Sequence, residues 1–485
     1  MPTTRRQFIR RTAAITAINA LPVGCFKPKG SHDAIRVGII GFHGQGGHHL
    51  EELLKLNGVR IVALCDVDTR VIDEGVAKLK KKGLVARTYS DFRKCCADKE
   101  IDGVIIATPN HTHALIAMTA IAHGKHVYVE KPVSHNLWEG RRLVEAAARR
   151  PNLIIQHGLQ RRSDLAWAEA VDWLKAGHLG KVVLSRGINF KSRESIGKVS
   201  GPMRVAKFIN YDLWCGPRPV VPMMRTKIHY DWHWQWPYGN GDIGNQGPHQ
   251  LDVARWVLQQ MKFPRRVMSL GSRWGYDDDG QTPNNQLAFF DYEGSAPLLF
   301  DNRGLPMKDM DWRVEPVFKI GDFSCPRIGN VIHCEGGIIA ESKAYDKDGK
   351  TIRKFDLSDG GGHRENWLQS IRDGKQKSEN LSILNGHLSS SLAHLANISW
   401  RIGKKMKPDE VRERLQGDKA ALDTLQDFDA NLAANKIDVA VENATVGPWV
   451  QFDPDKECFT GEFAEDANKL VTEEYRDEFK LPEIT

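Results

Sequence analysis

The sequence predicts an α/β protein in two parts: an N-terminal domain wound around a parallel sheet, then an α+β domain with an open, mainly antiparallel sheet. Three observations predict it. An apolar, β-branched run at 34–40 leads into the turn Gly41-Phe-His-Gly-Gln-Gly46-Gly47 and a helical pattern through Leu50, Leu53 and Leu54. Further apolar strands, at 60–64, 103–107, 126–129 and 153–157, alternate with helical segments, the signature of parallel βαβ units. From residue 181 on, strands at 181–189, 267–270, 285–291, 298–301, 331–334, 337–339 and 343–345 mostly follow one another directly.

Composition sets the outer limits. The chain has 485 residues, room for two to four domains. Apolar residues are 41% and charged residues 27%, as in a soluble globular protein. No run of 18 apolar residues predicts a membrane span. The net charge is +7, but Arg5, Arg6, Arg10 and Arg11 supply four of those charges. Residues 25–485 carry only +3, so no nucleic-acid partner is expected.

The first residues read as a leader. Thr4-Arg5-Arg6-Gln7-Phe8-Ile9-Arg10 resembles the twin-arginine export signal, and a weakly apolar stretch at 12–23 follows. Residues 1–24 are therefore expected to be a signal peptide, with the twin-arginine machinery as a partner and the periplasm as destination. A basic arm on a cytoplasmic protein is the alternative. Gly24-Cys25 also fits a lipoprotein signal, although Pro22 stands where Leu is usual. Lipid anchoring at Cys25 and soluble release both stay open. The eight Cys form no Cys-x-x-Cys pair, so no zinc site or disulfide framework is expected.

The glycine-rich turn has a physical reading. Gly41 permits a tight turn, and Gly46 lets the helix approach the strand. The helix N-terminus then offers N–H groups to a pyrophosphate. Asp66 follows 20 residues after Gly46 at the end of the second strand, the spacing of a Rossmann dinucleotide-binding domain, here 34–158. A carboxylate there accepts from ribose hydroxyls and repels a 2′-phosphate, which favours NAD over NADP; Arg70 weakens that preference. His43 stands where the middle Gly of the motif is usual, so either Gly44 takes its role or the loop is shifted. Two more strands end in polar loops, Thr108-Pro109-Asn110-His111-Thr112-His113 and Glu130-Lys131-Pro132. A helix is predicted at 114–123.

The glycine turn and these two loops, at this spacing, resemble the Gfo/Idh/MocA oxidoreductases, the family of glucose–fructose oxidoreductase and inositol dehydrogenase. The resemblance runs from about residue 34 to 405. It implies a bound nicotinamide cofactor contacted by Gly41, His43, Gly44, Gly46, Asp66, Thr108, Pro109, Asn110, Glu130 and Lys131. His113 either joins them or caps the following helix. His111 is a further candidate for cofactor or substrate. The resemblance places Lys131 between the nicotinamide ribose and the substrate hydroxyl. The family pattern Asp-x-Gly-x-His-x-x-Asp meets Asn245-Gln-Gly247-Pro-His249-Gln-Leu-Asp252. His249 is expected to take the hydroxyl proton, Lys131 to polarise the oxygen and Asn245 to orient it. Asp242 ranks low as a substitute for the missing carboxylate.

Residues 159–408 form the substrate half. Trp232, Trp234, Trp236 and Tyr238 alternate as on an extended segment. Trp232 and Trp234 are candidates to stack on a sugar ring, the alternative being core packing. His229 and His233 are not expected to hold a metal. His363 and His387 are expected to be structural. Residues 409–485 read as an extension packed on the body. Related proteins use the open sheet to dimerise, so a homo-oligomer through that sheet is expected.

The leading functional expectation is an NAD-dependent oxidoreductase that acts on a hydroxyl of a sugar, cyclitol or glycoside and keeps its cofactor tightly bound. A redox-neutral, NAD-dependent glycoside hydrolase or lyase, working through a keto intermediate, is the alternative. A carbohydrate-binding protein that has lost catalysis is the second, suggested by His43 and Asn245.

Overall fold

The computed structural model describes residues 34–306, 319–355, 362–376 and 380–484. The leader and Cys25 lie outside them. Among the described residues no helix is long and apolar enough to cross a membrane.

The first domain is a six-stranded sheet of β1 (Ile35–Ile40), β2 (Val59–Cys65), β3 (Arg87–Tyr89), β4 (Gly103–Ile106), β5 (His126–Val129) and β6 (Ile155–His157). Their order is β3-β2-β1-β4-β5-β6, all parallel. Both faces are covered by apolar layers, one around Leu115, Val127 and Leu143, the other around Leu50, Ile61 and Ile105. That double cover is why these strands read as unbroken apolar runs. The strand order reverses at β1, which opens a crevice at the carboxyl ends of β1 and β4.

The helix after β4 spans Asn110–Ala122, four residues earlier at its start than expected. The polar run Asn110-His-Thr-His113 looks like loop, yet it is already the helix's first turn. Thr108 and Pro109 therefore sit at a helix mouth.

The second domain begins with β7 (Val182–Asn189), β8 (Arg266–Ser272), β9 (Asn285–Asp291) and β10 (Leu298–Arg303). They lie in the order β7-β10-β9-β8 within a twelve-stranded sheet. Only β7 and β10 pair in parallel; the other pairings recorded in this sheet are antiparallel. Helices Gly247–Val257 and Ile383–Arg401 cover one face through Leu251, Leu388 and Leu392.

The C-terminal region is woven into this sheet. Strands Lys404–Met406, Ala444–Val446 and Val450–Asp453 extend it beyond β8. Helix Lys419–Ala434 lies across the second face, with Leu425, Phe428 and Leu432 against Met268, Leu270, Leu287 and Phe289. The helix packs there because its apolar residues recur at helical spacing and match the apolar residues that β8 and β9 present on this face.

Phe428 is fully buried and meets Trp274 edge-on at 6.1 Å. Phe428→Ala is expected to lower the unfolding free energy by about 3–5 kcal/mol in a denaturant titration. A loss below about 1 kcal/mol means the helix does not seal this face.

Candidate active site

Gly41 follows β1 with φ +76, and a Cβ there would stand 2.6 Å from Thr108 Cγ2. A Cβ on Gly46 would fall 1.9 Å from the Gly41 carbonyl oxygen. Only glycine fits either place, so the turn folds back tightly. Gly44 differs: a Cβ there would meet nothing within 4 Å. It is the N-cap of helix Gln45–Leu53 and supplies no side-chain cap. Uncapped amides therefore face open space at a positive dipole end, which suits a pyrophosphate. Gly44 takes the place of the motif's middle glycine.

His43 turns aside and stacks on His229, with ring centroids 4.3 Å apart. His229 Nε2 donates to Asp68 at 3.0 Å. Beside this contact Asn210 N–H donates to the Val67 carbonyl, and Thr69 N–H to that of Phe208. A strap from the second domain, 208–229, thus crosses the mouth of the first.

Asp66 lies beneath the strap. Its Oδ2 accepts Phe42 N–H and its Oδ1 accepts Asp68 N–H, each at 3.0 Å. Burial raises its carboxyl, and these two bonds pull it back only in part. The oxygens' remaining lone pairs suit ribose hydroxyls. Arg70, expected to temper the NAD preference, is engaged elsewhere: it pairs with Asp68 at 3.2 Å and lies 3.5 Å over the Phe208 ring.

One cavity of about 590 Å³ runs from this end to the second domain. It is lined by Gly41, His43, Gly44, Asp66, Thr108, Pro109, Asn110, His113, Glu130 and Lys131, and across from them by Trp232, Asn245 and His249. Gly46 shapes the loop behind it. The uncapped helix, the bare Gly44 and the Asp66 carboxylate fit a dinucleotide.

At the far end, Lys131 Nζ donates to the Asn245 carbonyl at 2.5 Å and to Asn245 Oδ1 at 2.9 Å. Burial lowers its ammonium to about 8, with Arg193 and Lys191 adding to the drop. The Glu130 charge opposes that drop but forms no salt bridge with Lys131 Nζ. Its Oε1 accepts from His49 Nε2 at 2.8 Å, and its Oε2 from Lys131 N–H at 3.2 Å. Burial would raise Glu130, but the His49 bond and nearby positive charges hold it well below the usual range. Arg364 donates to His49 Nδ1 at 2.7 Å and so fixes the tautomer. His249 faces the cavity; burial and the Lys131 charge lower its imidazole to about 3.

Asn245 lines the cavity as expected, and its side-chain oxygen also holds Lys131. Several expectations need correction. Trp234 does not line the cavity: it is buried, with Nε1 3.4 Å from Asp242. The aromatic alternation fails because 231–234 form a 3₁₀ turn, which sends neighbours around an axis rather than to alternate faces. Tyr238 instead packs on Trp214. His113 braces two loops, its ring nitrogens 2.7 Å from the carbonyls of Thr108 and Pro132. His111 is buried and bonds the Trp214 carbonyl. Asp242 pairs with Arg193, and Asp252 with Arg162 at 2.7 Å. His363 meets the Tyr128 hydroxyl, and His387 meets Glu457. Sequence reasoning missed Lys191, Arg193, Tyr230, His233 and Trp214, which also line the cavity. No motif marks them.

Comparison with known proteins agrees with this architecture. Residues 35–157 match the GFO_IDH_MocA model, described as an oxidoreductase family with an NAD-binding Rossmann fold. Residues 174–277 match that family's C-terminal alpha/beta domain. An inositol 2-dehydrogenase of Rubrobacter xylanophilus is 32% identical over 160 residues, 33% of this chain and 45% of that protein. A glycosyl hydrolase family 109 protein of Streptomyces niveus is 39% identical over 120 residues, 24% of each chain. The chain thus spans less than half the length of these curated relatives. Among solved structures, the WlbA dehydrogenase of Bordetella pertussis, in complex with NADH and UDP-GlcNAcA, shares the fold with a TM-score of 0.56 at 17% identity, over 76% of this chain and 97% of that one. With its Rossmann domain, its glycine turn and its Glu130-Lys131-Pro132 loop facing a mixed α/β domain, the chain belongs to the Gfo/Idh/MocA family of oxidoreductases.

Proposed function

We propose that the protein is an NAD-dependent oxidoreductase that moves a hydride between a hydroxyl-bearing carbon of a sugar, cyclitol or glycoside and a cofactor it retains. The observation that carries this is Lys131, a buried amine held by Asn245 in the cavity that Asp66 and the helix mouth open. When bound there, the nicotinamide supplies the hydride acceptor. The residues handle the proton and the geometry.

A ring hydroxyl beside Lys131 and His249 has two candidate proton acceptors. The sequence reading chose His249. Its imidazole is held near 3 by burial and by the Lys131 cation, which makes it a poor base. Lys131, at about 8, titrates close to neutral pH, where a general base works best. We therefore give the proton to Lys131. His249 stays neutral and orients the hydroxyl by a hydrogen bond.

The sign of the pH dependence follows. Alcohol oxidation needs the free amine, so its rate rises with pH through about 8. Ketone reduction needs the ammonium and falls over the same range. Asn245→Asp places a carboxylate against Nζ and raises the amine's pKa, so the oxidation limb moves up by roughly one unit or more. A limb that stays put in this variant, read from single-turnover rates, removes Lys131 as the base.

The strap supports a retained cofactor. Breaking the His229–Asp68 bond in His229→Ala is expected to raise the dissociation constant for NAD about tenfold. Nucleotide left after exhaustive dialysis is the readout, and unchanged retention rules the strap out as a clasp.

A retained cofactor also fits redox-neutral cleavage, and the resemblance to a glycosyl hydrolase family 109 protein favours keeping that second reading. Release of the aglycone from a nitrophenyl glycoside, with no net NADH, singles it out. The leader motif supports a periplasmic destination, where free NAD is scarce. Replacing Arg5 and Arg6 by Lys is expected to leave the protein in the cytoplasm.

A further inference from the structure

Beyond the reaction class, the cavity's charge pattern speaks to the substrate. We propose that the substrate is an acidic sugar, with a carboxylate on or beside its ring, and that Lys191 and Arg193 bind that carboxylate. The proposal rests on the sugar-directed reading above.

Lys191 and Arg193 leave the end of β7 two residues apart. Their segment is pinned at both ends: Phe190 N–H donates to the Arg327 carbonyl at 2.7 Å, and Arg193 N–H to that of Gly304 at 2.8 Å. Both side chains line the cavity together with Lys131, His233, Asn245 and His249. Both also feel Lys131 electrostatically, which places them at its end of the cavity rather than at the Asp66 end.

Positive charge is in excess there. Lys131, Lys191 and Arg193 are three cations. The nearby carboxylates are committed: Glu130 to His49, and Asp242 to Arg193 Nε at 2.9 Å and to Trp234 Nε1. His233 and His249 are both lowered to about 3 by burial and so stay neutral. Among the described residues no carboxylate forms an ion pair with Lys191. Arg193 is held flat by Asp242 and by the Tyr230 hydroxyl, which accepts from Nη1 at 3.0 Å. Its Nη2 bonds no described residue, so a guanidinium edge stays free for a ligand.

Lys191, the cation of the three left without a facing carboxylate, and the free Arg193 edge stand in a concave wall, which attracts anions and raises their local concentration. An oxidised nicotinamide would add a further positive charge. A neutral sugar would leave this field uncompensated, whereas a carboxylate placed between Lys191 and Arg193 answers it with charge-assisted hydrogen bonds. The opposite end carries the Asp66 carboxylate, so the field also orients the ligand, anion away from that end.

The test uses the full-length protein with its bound cofactor. Binding of glucuronate against glucose, and of galacturonate against galactose, is measured by calorimetry for the wild type and for Lys191→Gln. NAD content and cofactor reduction are followed in parallel. The expected result is at least tenfold tighter binding of a uronate than of its neutral partner, weakened by salt, with that ratio falling about tenfold in Lys191→Gln at unchanged NAD content. Equal binding of both partners, binding of neither, or inorganic phosphate competing as well as the uronate overturns the proposal. So does a Lys191→Gln protein that loses NAD while keeping the ratio, since Lys191 then serves the cofactor. Uronate selectivity without any cofactor reduction upholds the acidic-sugar site and sinks the oxidoreductase reading alone.

Discussion

A lysine amine that is held by an amide, and forms no salt bridge among the described residues, organises this site. Lys131 rises from the end of β5 in the first domain and is gripped by Asn245, side chain and carbonyl together, in the second. Dipoles stabilise an ammonium less than a charge does, so burial wins and the amine becomes easy to deprotonate. The same cation helps keep His249 neutral. It also adds to the positive field around Lys191 and Arg193. The proposed proton handling rests on this lysine facing an amide, and its charge adds to the burial that keeps the imidazole neutral.

That contact needs the two domains in fixed register, and other polar residues hold them. Asn240 Oδ1 accepts from Asn110 at 3.0 Å, and its side-chain amide donates to the His135 carbonyl at 2.9 Å. Its own carbonyl accepts from Asn397 at 2.9 Å. The C-terminal tail braces the loop beyond Lys131: Glu473 meets His135 at 3.2 Å and also pairs with Arg218, while Tyr475 donates to Glu139 at 2.7 Å. Buried polar contacts of this kind restrict the geometry of the groups they join, although His135 Nε2 and Arg218 Nε find no partner among the described residues. The tail therefore acts on the site from behind without touching it.

The first domain was legible because its signals are local. A strand, a glycine turn, a helix and Asp66 lie within about thirty residues, and the chemistry of each position is fixed by its immediate neighbours. Lys131, Asn245 and His249 were found through the family resemblance, and the structure brings them to one cavity. The strap and the cationic wall were not legible. Residues 190–240 have no period to read, and their course is set by distant contacts such as Asp68 with Ile209 and Arg193 with Asp242. The Trp alternation misled because a 3₁₀ turn and an extended strand write similar short patterns. The packing of 409–485 on the body was legible, but not that helix 419–434 docks on the second face of the sheet, which depends on contacts distant in sequence.

Asn245 then takes a different meaning from a lost catalytic group. On the proposed function a cofactor held under the strap is reduced and reoxidised in place, so one site has to take a proton in one half-cycle and return it in the other. That needs an acid–base group populated in both forms at a single pH. A carboxylate against Lys131 would hold the ammonium and favour reduction alone. An amide leaves the amine near 8, within reach of both states. On that reading, the substitution that first suggests a dead enzyme is the one that would let an enclosed cofactor turn over in both directions.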